Sequence, residues 1–421
     1  MLSRAYSLLV CVVALGGCAT GAPQYAYQMP ASASRTAGPS RAAEPAATPG
    51  PMAAGDRVAL LAPMTGARAD LGRTLKQAVL LVLPESNVDV IDTTGTAAGA
   101  AAAAQTAIAH GSRIILGPLT AAETAAVAPV AKAAGVPVLA FTNDSNQSQP
   151  GIWPMGVTAD QQVRRLVAAA QGQGKTSFAA LLPDSDFGHA MGTALGRATQ
   201  AAGLPEPTVR VHGAGMQAIT TAARDLSGYA SRRGPIDARI RQARAAGTPE
   251  GRREAQDLAK SSIPAPSFNV LLLADTGEPL SEIASVLPYY DVDRSAVQII
   301  GPALWSSPAS GSASVSGAWY AAPDGASRST LEQSYAAKYS APPPPLADLA
   351  FDAASIARLM MRGNGADIGM LTQPAGFLGA DGWIAFSADG QVRRGLAVYK
   401  LTGGSSVLIE PAPQSPSTPG A

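Results

Sequence analysis

Cysteine is almost missing from this chain: Cys11 and Cys18 are the only two in 421 residues. Cys11 sits inside an N-terminal apolar leader, so a processed chain keeps one thiol, which excludes an internal disulfide framework and a cysteine metal cage. Histidine is as scarce, with His110, His189 and His212 widely spaced, and neither a His-Glu-x-x-His pair nor a Gly-x-Ser-x-Gly elbow occurs. Charge is sparse and balanced, at 14% charged residues and a net +1, which leaves no electrostatic footprint for nucleic acid. Two partial motifs fail on inspection. Gly172-Gln-Gly-Lys-Thr176 has Ala169 where a phosphate loop needs its first glycine. Asp291-Val-Asp293 begins like a calcium loop, but Ala296 and Pro302 stand at the required glycine and glutamate positions. The residues therefore point to a protein without metal, cofactor or assembled catalytic group. Carboxylates gathered in space are the one enzymatic route left open.

What the chain has is apolar mass: 47% of its residues are hydrophobic, enough for two lobes with real cores. From Val58 onward, short apolar strands alternate with helical periodicities, the mark of parallel doubly wound α/β sheets. The stretch from Gly111 to Asp144 is the clearest unit. Ile114–Leu116 reads as a strand, Thr120-Ala-Ala-Glu123 as a capping box opening a helix, Gly135 as its C-terminal stop, and Val136–Phe141 as a second strand. Such a unit puts loops 117–121 and 142–147 side by side at the carboxyl edge of the sheet, where open α/β sheets bind ligands. Thr65, Thr120, Ala121, Thr142, Asn143 and Asp144 are the cleft candidates there. They read equally well as caps and turn residues. Asp186, beside His189, and Trp305, with Trp319, are weaker candidates from the second half, the tryptophans as stacking platforms. A second strand–helix series starts near Thr158. Residues 217–262 interrupt it with dense arginine (Arg232, Arg233, Arg239, Arg241, Arg244, Arg252, Arg253), which reads as helices with a solvated face or as a docking surface for a partner. Trp383–Phe386 and Gly395–Leu401 read as strands joined by an Ala388-Asp389-Gly390 turn, and residues 403–421 as a loose tail.

The N-terminus carries Arg4, an apolar run from Leu8 to Leu15, and then Leu15-Gly16-Gly17-Cys18. A charged start, a short apolar core and small residues describe a secretory signal over residues 1–17, too short to span a bilayer. The last four residues resemble a bacterial lipobox, which implies lipidation at Cys18 and attachment to membrane by that anchor alone. Ala19 in place of Asp favours the outer membrane, facing the periplasm. Residues 18–55, rich in Ala, Pro, Ser and Gly, read as a disordered tether reaching roughly 35 Å as a coil.

The segments LGPLTAAETAAVAPVAKAAGVPVLAFTND, LLPDSDFGHAMGTAL, IIGPALW, GAWYAAP, PPPPLADLAFDAASIARLM and GWIAFSADGQVRRGLAVYKL together resemble the type I periplasmic binding proteins of the leucine-binding kind. Within these, they look most like the penicillin-binding protein activator lipoproteins. The resemblance covers about residues 56–401 and implies two lobes joined by a hinge: 56–157 with 323–381, and 158–322 with 382–402. The chain then crosses between them near residues 157, 322 and 382. In amino-acid-binding relatives a hydroxyl two residues past the position of Leu119 and a threonine after the second strand grip the ligand. Here those positions hold Ala121 and Asp144, so a small polar or cationic ligand fits better than an amino-acid carboxylate. The resemblance implies a non-catalytic envelope lipoprotein acting on a penicillin-binding protein or other envelope protein. The alternative it implies is a solute receptor, amino-acid-like, of an ABC importer.

Overall fold

The computed structural model describes residues 56–361, 368–403 and 405–415. Cys18, the leader and the tether lie outside them. The first sheet is built from β1 (Arg57–Ala62), β2 (Val88–Asp92), β3 (Ser112–Leu116), β4 (Val138–Ala140) and β5 (Ile152–Pro154), all parallel in the order β2-β1-β3-β4-β5. Its helices are α1 (Ala69–Val82), α2 (Ala97–Ala109) and α3 (Ala121–Ala134). Strand β1 is apolar on both faces because both are covered. Val58 and Leu60 pack toward α1, whereas Ala59 and Leu61 pack toward the alanines of α2 and α3. Small alanine faces let those two helices lie close to the sheet.

The second sheet takes α4 (Ala159–Gly172), β6 (Phe178–Pro183), α5 (Asp186–Ala201), β7 (Thr208–His212), α6 (Met216–Ser227), α7 (Tyr229–Ala245), α8 (Pro249–Lys260), β8 (Val270–Leu273), α9 (Gly277–Val286), β9 (Gln298–Gly301) and β10 (Trp319–Ala322). The chain then returns to the first core. Helix α10 (Ser329–Tyr339) and α11 (Ala347–Met360) lie against α1, with the hydroxyl of Tyr335 on Gln77 at 2.7 Å and Arg358 on the carbonyl of Val82 at 3.2 Å. After the short α12 (Ile368–Leu371) comes a separate antiparallel sheet of β11 (Phe377–Gly379), β12 (Gly382–Phe386) and β13 (Val392–Arg394). Strands β14 (Ala397–Thr402) and β15 (Ser405–Glu410) complete the second sheet, in the order β15-β14-β10-β9-β8-β6-β7, with both added antiparallel.

Three sequence expectations need correction. The third passage falls at Gly395, not at residue 382: Phe377, Ile384, Phe386 and Val392 bury in the first core, and Leu396 is the first residue in the second. The Ala388-Asp389-Gly390 turn joins β12 to β13, not to the strand that follows. Residues 405–410, expected to be loose, pair with β14, and Ala412 and Pro413 just past them are buried. Arg165, buried on α4, ion-pairs with Glu410 at 2.8 Å and donates to the carbonyls of Leu396 at 2.7 Å and Pro411 at 3.3 Å. The arginine-rich segment 217–262 forms α6, packed on the second core, and α7 and α8 around a small core of Ile240, Ala243 and Ala255.

Candidate binding cleft and hinge

Loops leaving β1, β3 and β4 line the carboxyl edge of the first sheet in that order. The loop after β3 starts at Gly117, whose φ is +89° and whose hydrogen, if replaced by a Cβ, would lie 2.2 Å from the carbonyl of Leu61. Only glycine lets that loop pass so close to β1. Phe141 N donates to Pro118 O at 2.8 Å, so the loops carrying Thr120 and Asp144 touch directly, as the sequence indicates.

Thr65, Thr120, Thr142 and Asp144 each have an internal partner. Thr120 is the N-cap of α3 in a complete capping box: its Oγ1 accepts from Glu123 N at 3.3 Å, and its own amide donates to Glu123 Oε2 at 3.0 Å. The other oxygen of Glu123 accepts from Thr93 Oγ1 at 2.6 Å, and the Glu123 side chain is buried. A carboxylate of the chain itself therefore sits at the helix start, leaving Ala121 and Ala122 as the first-turn amides with no intrahelical acceptor. Thr65 donates to Asp92 Oδ2 at 2.6 Å, and Asp92 also accepts from the amides of Met64 and Thr94, both at 2.8 Å. Burial opposes ionisation of Asp92, but the hydrogen bonds from Thr65 and these amides outweigh it and hold the carboxyl below its ordinary range. Thr142 is buried and accepts from Asp144 N at 3.1 Å. Asp144 caps a turn of its own, accepting from Asn146 N at 3.0 Å and Gln147 Nε2 at 3.2 Å. Asn143 is the exposed member, stacked over Gly156, where a Cβ would come within 2.8 Å of it.

The second sheet contributes less. Asp186 is exposed at the first turn of α5, and His189 Nε2 lies 3.3 Å from Asp184 Oδ1 at the surface. Nothing in the hydrogen bonds joins Asp186 to the first-sheet loops. Trp305 is removed as a stacking platform: it is 1% exposed, packs into the second core and donates its indole N–H to the carbonyl of Asp275 at 2.9 Å. Trp319 is likewise buried, in β10. Asp275 faces His212, Oδ2 to Nε2 at 3.2 Å, both residues being buried, while His212 Nδ1 meets Gly213 O at 3.0 Å. Burial disfavours the imidazolium, but the hydrogen bonds to Asp275 and the Gly213 carbonyl, with the nearby carboxylate charge, together outweigh it and raise the pKa of His212. A cavity of about 530 Å³ opens beside this pair, between β7 and α6, lined by Arg210, His212, Gln217, Thr221 and Asp225 and by none of the eight cleft candidates. Among the described residues no group of three or more His, Cys, Asp or Glu could hold a metal, and no helix is long and apolar enough to cross a membrane.

The densest buried charge lies at the hinge, where sequence reading did not look. Asp352 on α11 is 1% exposed and accepts from the amides of Ala380 at 2.6 Å and Asp381 at 3.3 Å. Asp381 lies 3.5 Å from Arg394 Nη1, and Asp348 sits on α11 one turn before Asp352. Arg328 Nε reaches both oxygens of Asp348, at 3.0 and 2.9 Å. Arg394 spends Nε and Nη2 on the carbonyl of Met155, at 3.2 and 2.7 Å, and its Nη1 has no hydrogen-bond partner. Burial pushes Asp348 and Asp352 up to about 7, and pushes Asp381 up as well, against the pull of Arg394 and Arg328. The available signal was the pair Asp348 and Asp352, one helical turn apart in the apolar run from Leu346 to Met361.

Comparison with known proteins agrees with this architecture. The model of a family described as periplasmic binding protein matches residues 57–404. Among solved structures, a protein assigned as a branched-chain amino acid ABC transporter from Rhodospirillum rubrum is 18% identical with a TM-score of 0.63, over 84% of this chain and 100% of its own. The C-domain of LpoA (YraM) from Haemophilus influenzae, described as a regulator of PBP1A, is 17% identical with a TM-score of 0.58, over 84% of this chain and 100% of that domain. The leucine-binding protein LivK from Thermotoga maritima is 16% identical with a TM-score of 0.53, over 86% and 99%. At such identities these likenesses speak for the fold. No curated protein matches the chain.

Proposed function

The chain belongs to the periplasmic binding protein family, of the leucine-binding-like type I, and on that premise we propose that it is a non-catalytic module of the cell envelope that acts on a protein partner. The partner proposed is a peptidoglycan synthase of the penicillin-binding class, with Cys18 as the lipid anchor at the outer membrane and residues 19–55 as the tether. The lobes would be residues 56–157 with 323–394, and 158–322 with 395–415. The observation that carries this reading is the state of the amino-acid clamp. The start of α3 is occupied by Glu123, and Asp144, standing at the threonine position, spends its carboxylate on its own turn. A ligand carboxylate entering there would meet two anions, and Ala121 offers it no hydroxyl. The likeness to the LpoA domain, whose description names a regulator of PBP1A, supports the partner class. The α7–α8 pair, with Arg241, Arg244, Arg252 and Arg253 exposed, supplies a polar surface for docking.

The test is the glycan-polymerising and crosslinking rate of a purified penicillin-binding protein from the same envelope, with and without this chain. A rate change that saturates with added chain supports the proposal, and an unchanged rate with no measurable binding rejects it. The receptor reading retains one favourable observation, the contact between the Thr120 and Asp144 loops at the sheet edge. A ligand at a hundred times its dissociation constant stabilises a protein by about 2.7 kcal/mol, so a thermal-shift screen of amino acids and amines separates the two readings.

A further inference from the structure

The hinge cluster touches all three passages between the lobes. Met155, whose carbonyl holds Arg394, opens the first passage; Arg328 follows the second, which leaves β10 at Ala322; Arg394 precedes the third, at Gly395. Facing the cluster are Asp348 and Asp352 from α11, Asp381 from the turn between β11 and β12, Arg394 from β13, Arg328 from the segment before α10, and Glu332 from α10, 3.2 Å from Arg328. Three inner carboxylates against two guanidiniums leave one uncompensated negative charge if every group is ionised. One bound proton balances them.

We propose that this proton sets the hinge: while it is held among Asp348, Asp352 and Asp381, Arg394 stays on the Met155 carbonyl and the passages are pinned, and its loss releases them. The mechanism follows from the position of Arg394. Its unpartnered Nη1 lies 3.5 Å from Asp381 and 4.0 Å from Asp352. With the proton gone, Asp381 carries a full charge in a dry site, where an ion pair is strengthened, and it draws the guanidinium away from Met155. The first passage then loses both hydrogen bonds that Arg394 makes to it. The device is independent of any ligand in the cleft and of which partner the protein has.

The test is hydrogen exchange of the full chain, segment by segment, at about pH 5.5 and about pH 8.5, with rates corrected for intrinsic exchange. Segments 154–158, 322–328 and 394–397 are expected to lose protection by up to about tenfold per pH unit once the proton leaves. Strands β6 and β8, in the second core, serve as controls and are expected to hold theirs. Asp381→Asn, which cannot take the competing charge, is expected to stay protected at both pH values. Unchanged protection in the wild-type passages overturns the proposal, as does an equal loss in β8, which would be global destabilisation. A wild-type pH response in Asp381→Asn overturns it as well. Should that variant fail to fold, the infrared band of a buried protonated carboxyl in the wild-type chain decides: it must be present at the lower pH and vanish at the higher one.

Discussion

The cleft loops and the hinge use the same residue types in opposite ways. At the cleft, Asp92, Thr120 and Asp144 find several of their partners within a few residues, in an Asx-type turn, a capping box and a second Asx turn. The turns themselves are shaped by local chemistry, and longer bonds, from Met64 and Thr65 to Asp92 and from Thr93 to Glu123, only join one loop to the next along the same sheet edge. At the hinge, Asp352 binds amides 28 and 29 residues away, and Arg394 binds a carbonyl 239 residues away. Those bonds exist only when the whole chain is folded. Polar residues at an exposed edge define shape cheaply, whereas buried ones tie distant segments together and become costly when any member is missing.

That contrast can be broken most forcefully at Asp352. Asp352→Ala leaves two buried amides without an acceptor and removes a carboxylate from Arg394, so we expect a loss of about 3–5 kcal/mol in urea unfolding. An effect below about 1 kcal/mol would mean that the hinge charges are no more coupled than those of the loops. The next measure is pH. Burial raises Asp348 and Asp352 to about 7 in the fold, against an ordinary value of 3.8, so the cluster they form holds its proton into that range. The folded state therefore binds more protons than the unfolded one between those values. Their contribution is fully present below the lower value and fades as pH rises through the upper one, so thermal stability should fall from about pH 5 to about pH 8. A midpoint that rises over that interval would contradict the burial of protonated carboxyls. Thr120→Ala should cost about 1 kcal/mol, the worth of one N-cap, with an unchanged urea slope. Smallest of all, Asp144→Ala should shift stability by less than about 0.5 kcal/mol, as expected for a partly exposed turn. A larger loss would place Asp144 in a wider network than its turn.

The same contrast explains how much could be read from the sequence. Thr120-Ala-Ala-Glu123 and Gly135 specify a helix start and stop by local bonding alone, and both occur as read, Gly135 with φ +67°. Alternating strands and helices fixed the parallel sheets, because a βαβ connection has few other outcomes. The third passage was misplaced because Gly382–Phe386 is apolar throughout, a pattern that announces burial without saying in which core. Trp305 was misjudged for a related reason: aromatic bulk suits a stacking platform and a core equally, and the space above Gly301 decides, where a Cβ would lie 2.2 Å from the indole. The hinge cluster was invisible because its members span residues 155–394, and only Asp348 and Asp352 sit at a telling interval.

The return of the chain to its first core has a consequence in time. The first sheet is complete by Pro154, yet the face bearing Val58, Leu60, Ile114 and Leu139 is covered by α11 and closed by Val392. During synthesis that oily surface, with α1 alone on it, must wait partly exposed while the second lobe is made. The nascent protein is thus most vulnerable to sticking midway through translation, and a chaperone that guards it would be needed longest for the half that is made first.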